Sequence, residues 1–149
     1  MQIPTPYYTL VNTSRDGDPA VVVLNAALRA FRQRGIFPWH LSIVISCQLL
    51  AERATHRAQE NQSLYELEDE IARHLTLDEN AIFLARVTCR SEREILFRVH
   101  DPEAAQDALG TLSGEPTSQR HWAYHMEHDP DWKLTQGTLG LLERDRQFN

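Results

Sequence analysis

AIFLARVTCRSEREILFRVH, Ala81 to His100, decides the fold of this chain. Apolar and polar residues alternate from Ala81 to Arg90 and again from Arg93 to His100, the period-two pattern of strands with one covered face. Ser91-Glu92 leaves room only for a tight connection, so the stretch predicts an antiparallel hairpin even without the favoured Asn-Gly pair. On its C-terminal side, Asp101-Pro102 sets a capping carboxylate before a proline at the first helical position. That predicts a helix over Glu103–Leu112 with Ala104, Ala105, Ala108 and Leu109 turned inward, ended by Ser113-Gly114-Glu115-Pro116. His121 to His128 then reads as the last strand. Pro130 to Leu142 reads as short helical turns around Trp132, Leu134, Leu139 and Leu142, and Glu143 to Asn149 as a frayed tail.

On the N-terminal side of the hairpin, Ser63 and Glu66 form a capping box that opens a helix through Leu75, with Leu64, Leu67, Ile71 and Leu75 as its apolar stripe. Glu52 to Gln62 is polar and reads as a loop or frayed helix. His40 to Leu50 is apolar on both faces through Leu41, Ile43, Val44 and Ile45, as in a core strand. Pro4 to Ser14 predicts a first strand closed by the turn Arg15-Asp16-Gly17-Asp18. Asp18-Pro19 repeats the cap-and-proline device and predicts a helix through Val22, Leu24, Ala27, Leu28 and Phe31, closed by Gly35. The competing reading is a strand over Ala20–Leu24, which three consecutive valines favour. Strands interleaved with helices predict an α+β fold, a mostly antiparallel sheet with helices packed on one face as a two-layer sandwich. No linker or repeat divides residues 1–149, so one domain is expected.

With 42% hydrophobic and 24% charged residues, the composition is that of a globular protein. No apolar run approaches the roughly 20 residues that span a bilayer, and the first ten residues lack a basic leader followed by an apolar stretch. A cytoplasmic protein without a membrane contact is the expectation. Cys47 and Cys89 sit in apolar strand-like contexts and read as reduced, structural thiols. A formal charge of −6 with a single lysine, Lys133, argues against nucleic acid and for a basic protein partner. Arginines cluster only as Arg29, Arg32, Arg34 and as Arg90, Arg93, Arg98.

Four stretches carry a resemblance: Leu64 to Asp69, Phe83 to Thr88, Glu94 to Asp101, and His128-Asp129-Pro130-Asp131-Trp132. Through them the chain resembles the domain of unknown function 695 family of bacterial proteins, from about the first strand to the Asp-Pro-Asp-Trp turn. The resemblance implies a small α+β domain and no catalytic residue. An extended group of that family is similar in layout to the regulator of ribonuclease E activity B, an acidic inhibitory binder.

Alternation from His121 places His121, Ala123, His125 and Glu127 on one side of a strand, a weak metal candidate. Same-side histidines four apart lie about 13 Å apart at roughly 3.3 Å per residue, too far for one ion without a bulge or a neighbouring strand. Glu66, Asp69 and Glu70 share one side of their helix while Glu68 lies away from them, and these acids read as solvated or paired to an arginine. Both cysteines lack the electropositive, open setting of a nucleophile. No Gly-x-Ser-x-Gly, phosphate loop or His-Glu-x-x-His occurs, so neither a catalytic set nor a cofactor is expected. Most of the aromatics, Trp39, Trp122 and Trp132 with Tyr7, Tyr8, Tyr65 and Tyr124, read as core or layer-edge packing, and any left exposed beside the arginines form the anchor chemistry of a protein-binding surface. The expected binding residues are therefore Trp39, Glu68, Asp69, Arg98, His128, Asp129 and Trp132. The reading is a non-enzymatic interaction or regulatory domain of the inhibitor or immunity type. Its alternatives are a small hydrolase or metal enzyme built on His121, His125 and Glu127, and a small-ligand sensor.

Overall fold

The computed structural model describes residues 3–46, 54–113 and 122–148. Its centre is a six-stranded antiparallel sheet made of β1 (Tyr8–Arg15), β2 (Asp18–Asn25), β3 (Trp39–Ser46), β4 (Ala81–Cys89), β5 (Glu92–Val99) and β6 (Trp122–His128), in the order β1-β2-β4-β5-β3-β6. Among the described residues three α-helices accompany it: α1 (Ala54–Leu75), α2 (Pro102–Ser113) and α3 (Lys133–Phe148). The chain is thus α+β. The 81–100 hairpin forms, but its turn lies one residue earlier than the expected Ser91-Glu92: Cys89 pairs with Glu92 across Arg90-Ser91, and Glu92 opens β5.

Asp18–Phe31 differs from expectation: the predicted helix is replaced by β2 and a short 3-10 turn at Ala26–Ala30, and a second 3-10 turn follows at Arg34–Ile36. Two local causes outweigh the Asp-Pro cap. Asp16 and Gly17 adopt φ of 52° and 85°, the left-handed pair of a two-residue hairpin turn, which sends the chain straight back along β1. Val21, Val22 and Val23 are stiff at χ1 and fit a pleated sheet better than a helix. Pro19 is accommodated because β2 pairs with β4 only from Ala20 onward.

Helical boundaries also move. Residues 54–62 belong to α1, which runs 22 residues, so Ser63 is a mid-helix residue and not a cap. Pro130–Leu142 does not fold as short turns; α3 is one 16-residue helix that takes in the stretch expected as a tail as far as Phe148. Asp101 does cap α2, accepting from the amides of Glu103 and Ala104, although Ala104 is exposed and Leu112 takes the inward place beside Ala105 and Leu109. Residues 47–50 of the expected core strand, with Cys47, and residues 114–121, with His121, lie outside the described residues. Cys89 is a half-buried free thiol.

The layering is fuller than a two-layer sandwich, because helices lie on both faces. One face carries Leu41, Ile43 and Ile45 of β3 and Ile95, Phe97 and Val99 of β5, packed with Leu64, Ile71 and Leu75 of α1 and Ala105, Leu109 and Leu112 of α2. The opposite face carries Val22 and Leu24 of β2, Ile82, Leu84 and Val87 of β4 and Leu96 of β5, packed with Leu28, Phe37, Trp132 and α3's Leu139 and Leu142. Both faces of β4 and β5 are covered: Ala81 of β4 with Ile95, Phe97 and Val99 of β5 feeds the first core, and Ile82, Leu84, Ala85 and Val87 of β4 with Leu96 of β5 feed the second. α1 and α2 stop short of β1 and β2. On that side Tyr8 and Leu10 remain 58% exposed and Val21 39% exposed.

Candidate functional site

Arg98, Asp129 and Trp132 form one internal anchor. Arg98 is fully buried, and its guanidinium donates to the Phe37 carbonyl, the Asp129 carboxylate and carbonyl, and the Thr135 hydroxyl. Burial lowers the Arg98 pKa, opposed by the bond to Asp129. For Asp129, burial pushes the carboxyl up, but donation from the Leu134 amide, Arg98 and the Lys133 amide outweighs it and holds the pKa below the usual range. The same two amides open α3, so Asp129 is also its cap. Trp132 sits at φ 58°, an uncommon conformation for a bulky residue. It is held by indole donation to the carbonyls of Arg34 and Phe37 and by the guanidiniums of Arg98 and Arg34, 4.6 and 5.1 Å from its ring centre. The Asp-Pro-Asp-Trp segment therefore ties α3 to the sheet from within.

Trp39 and His128 face each other across β3 and β6, with ring centres 4.8 Å apart. His125 and Glu127 lie on the opposite side of β6 from His128, both exposed, with Nε2 and Oε2 3.9 Å apart. They share that side with His40 and Ser42, and Ser42 donates to Glu94 at 2.5 Å. His40 has a buried Nδ1 with no hydrogen-bond partner, and burial followed by the nearby Arg98 charge lowers its pKa. Among the described residues no group of three or more histidine, cysteine or acidic side chains is placed to hold a metal ion.

Glu68 and Asp69 stand elsewhere, at an open cleft where α1 passes the sheet. Glu68 is not solvated: only 7% exposed, it accepts Arg86 Nε at 2.7 Å and Arg93 Nη1 at 3.1 Å. Both guanidiniums lie over the Tyr65 ring, 5.0 and 5.3 Å from its centre. A cavity of about 350 Å³ opens beside this cluster, lined by Tyr8, Val23, Glu68, Asp69, Ala72, Phe83, Arg86, Ile95 and Phe97. Its aromatic wall is continuous, Tyr8 meeting Phe83 edge-on at 5.9 Å and Phe83 meeting Phe97 at 5.8 Å.

A β-bulge builds the charged end. The β4–β5 register slips between Phe83 and Ala85, so the alternation of β4 inverts there. Strict alternation puts Arg86 on the face away from Phe83; the bulge brings both to the α1 side. Sequence reasoning thus missed Arg86 as a wall of the cleft, and alternation held no sign of it. Glu68 and Arg93 did carry a signal. Glu68 is four residues after Leu64 and three before Ile71, and Arg93 leads the row Ile95, Phe97, Val99, so each is a charge in an apolar line that needs a buried partner. Val23 and Phe83 went unrecognised as site residues because cleft walls are set by what fails to cover them.

The anchor, the bulge and the cleft all fall within residues 8–139, the stretch matched by the family of unknown function DUF695. The chain belongs to that family. No curated protein and no solved structure matches it.

Proposed function

We propose that this protein is a non-catalytic interaction domain whose binding surface is the cleft beside α1 together with the uncovered face of β1 and β2. The carrying observation is the apolar strip that α1 and α2 leave open, where Tyr8, Leu10 and Val21 are 58%, 58% and 39% exposed beside Tyr65 at 43%. Large apolar side chains left exposed on one side of two neighbouring strands support an interaction site there. Two uncovered strands span about 10 Å, roughly the width of one helix, so a single segment of a partner fills the gap in the α1-side layer. Glu68, Arg86 and Arg93 are committed to one another, which supports a role in shaping the cleft and not in acid–base chemistry.

The net charge of −6 favours approach by a basic protein, and Glu66 and Asp69, exposed on α1, are acids that such a partner meets at the rim. The test is affinity capture from lysate of the source organism with the wild-type protein, Val21→Glu, Asp69→Asn and the control Gln106→Glu on exposed α2. A stoichiometric protein held by wild type and control, weakened by Asp69→Asn and lost with Val21→Glu, is the expected result. Retention of that protein by Val21→Glu overturns the reading.

A further inference from the structure

We infer that the inner end of the cleft binds a carboxylate carried on a bulky apolar group. This rests on the cleft being a binding site and adds the sign of charge it takes. Glu68 is one carboxylate facing two guanidiniums, which leaves one positive charge over. The side chains of Glu68 and Arg93 are 7% and 6% exposed, whereas Arg86 is 23% exposed and lines the cavity, so a ligand reaches the surplus charge through Arg86. Arg86 donates from Nε and Nη2 to Glu68, and its Nη1 takes part in neither contact. Beside the apolar wall of Val23, Phe83, Ile95 and Phe97, a charge-assisted bond to Nη1 is poorly screened and correspondingly strong. Asp69 is the opposing charge, but it stands on the exposed rim, where water and salt weaken it.

The volume of about 350 Å³ lies at the lower end of small-molecule pockets, enough for one aromatic ring on a short linker. A small apolar acid and the C-terminal residue of a polypeptide both present this chemistry.

The test is titration of the full-length ¹⁵N-labelled protein with 4-phenylbutyrate, 4-phenylbutanol and 4-phenylbutylammonium, following the amides of Val23, Phe83 and Arg86. The acid is expected to shift these amides and to bind roughly tenfold or more tighter than the alcohol or the amine. Asp69→Asn should tighten the acid, and Val23→Trp, which fills the cavity from a half-buried position, should abolish binding. Arg86→Gln should erase the preference for the acid; because it also unbalances Glu68, the ligand series on the wild-type protein decides if that variant does not fold. Equal binding of the three probes, or tightest binding of the amine, overturns the inference. A heptapeptide ending in free phenylalanine that binds better than both its amide and phenylbutyrate assigns a polypeptide C-terminus; preference for phenylbutyrate assigns a small acid. The two proposals fail separately: Asp69→Asn weakens a basic partner but tightens the acid, and partner capture without acid binding overturns only this inference.

Discussion

At the scale of single residues, charges inside this protein are decided by who their neighbours are. Arg98 is tolerable in the core because Asp129, Thr135 and the Phe37 carbonyl meet its donors, and Asp129 is tolerable because α3's first amides share it. His40 has no such partner at Nδ1, and Arg98 and Asp129 with Glu94 and Glu127 surround it with charges of both signs. Its folded pKa lies below 6.5 because burial disfavours the imidazolium, so the unfolded chain binds the proton more readily. The His40 contribution to stability is therefore complete above about pH 6.5 and is lost as pH falls through the folded value. Urea titrations from pH 7.5 to 5 should show this decline, and His40→Phe, which keeps the ring without the proton, should flatten it. An unchanged slope in that variant removes His40 as the cause. Little of this was legible in sequence, since His40 and Arg98 are 58 positions apart and become neighbours only through the β3–β5 register.

At the scale of elements, α1 is fastened to the sheet by one carboxylate between two arginines. Removing Glu68 strands both guanidiniums, one of them nearly buried, whereas removing Arg93 leaves a balanced Glu68–Arg86 pair. Glu68→Ala is expected to cost about 3 kcal/mol, in the range for breaking a buried pair, and Arg93→Met less than half of that. Equilibrium urea unfolding measures both, and equal losses would contradict the charge imbalance. The 81–100 hairpin and the Asp101-capped helix were readable because their signals are local: alternation, a tight connection, a cap. The 18–31 segment was misread because a local cap competed with a local turn. Asp16-Gly17 is itself a strong hairpin signal, and the valines after it agree with the turn and not with the cap.

At the scale of the whole molecule, helices cover both faces of β4 and β5 but only one face of β1 and β2. Neighbouring valines on β2 should therefore behave oppositely. Val22 is 1% exposed and Val21 39%, so Val22→Glu buries an unpaired charge and should cost more than about 4 kcal/mol, while Val21→Glu should stay within about 0.5 kcal/mol of wild type. Thermal or urea unfolding of the pair checks the layering, and it also secures Val21→Glu as a folded probe of the binding face. Among the described residues no helix is long and apolar enough to cross a membrane. The sequence by itself determined the α+β class, the hairpin and the family, because alternation, capping and turn chemistry act over a few residues. Only the tertiary structure decided which strand face lies bare, which charges meet, and that a bulge turns Arg86 into the cleft. Those depend on register and coverage, which arise only when distant segments pack, so a local pattern that marks Glu68 and Arg93 as needing partners does not name the partners.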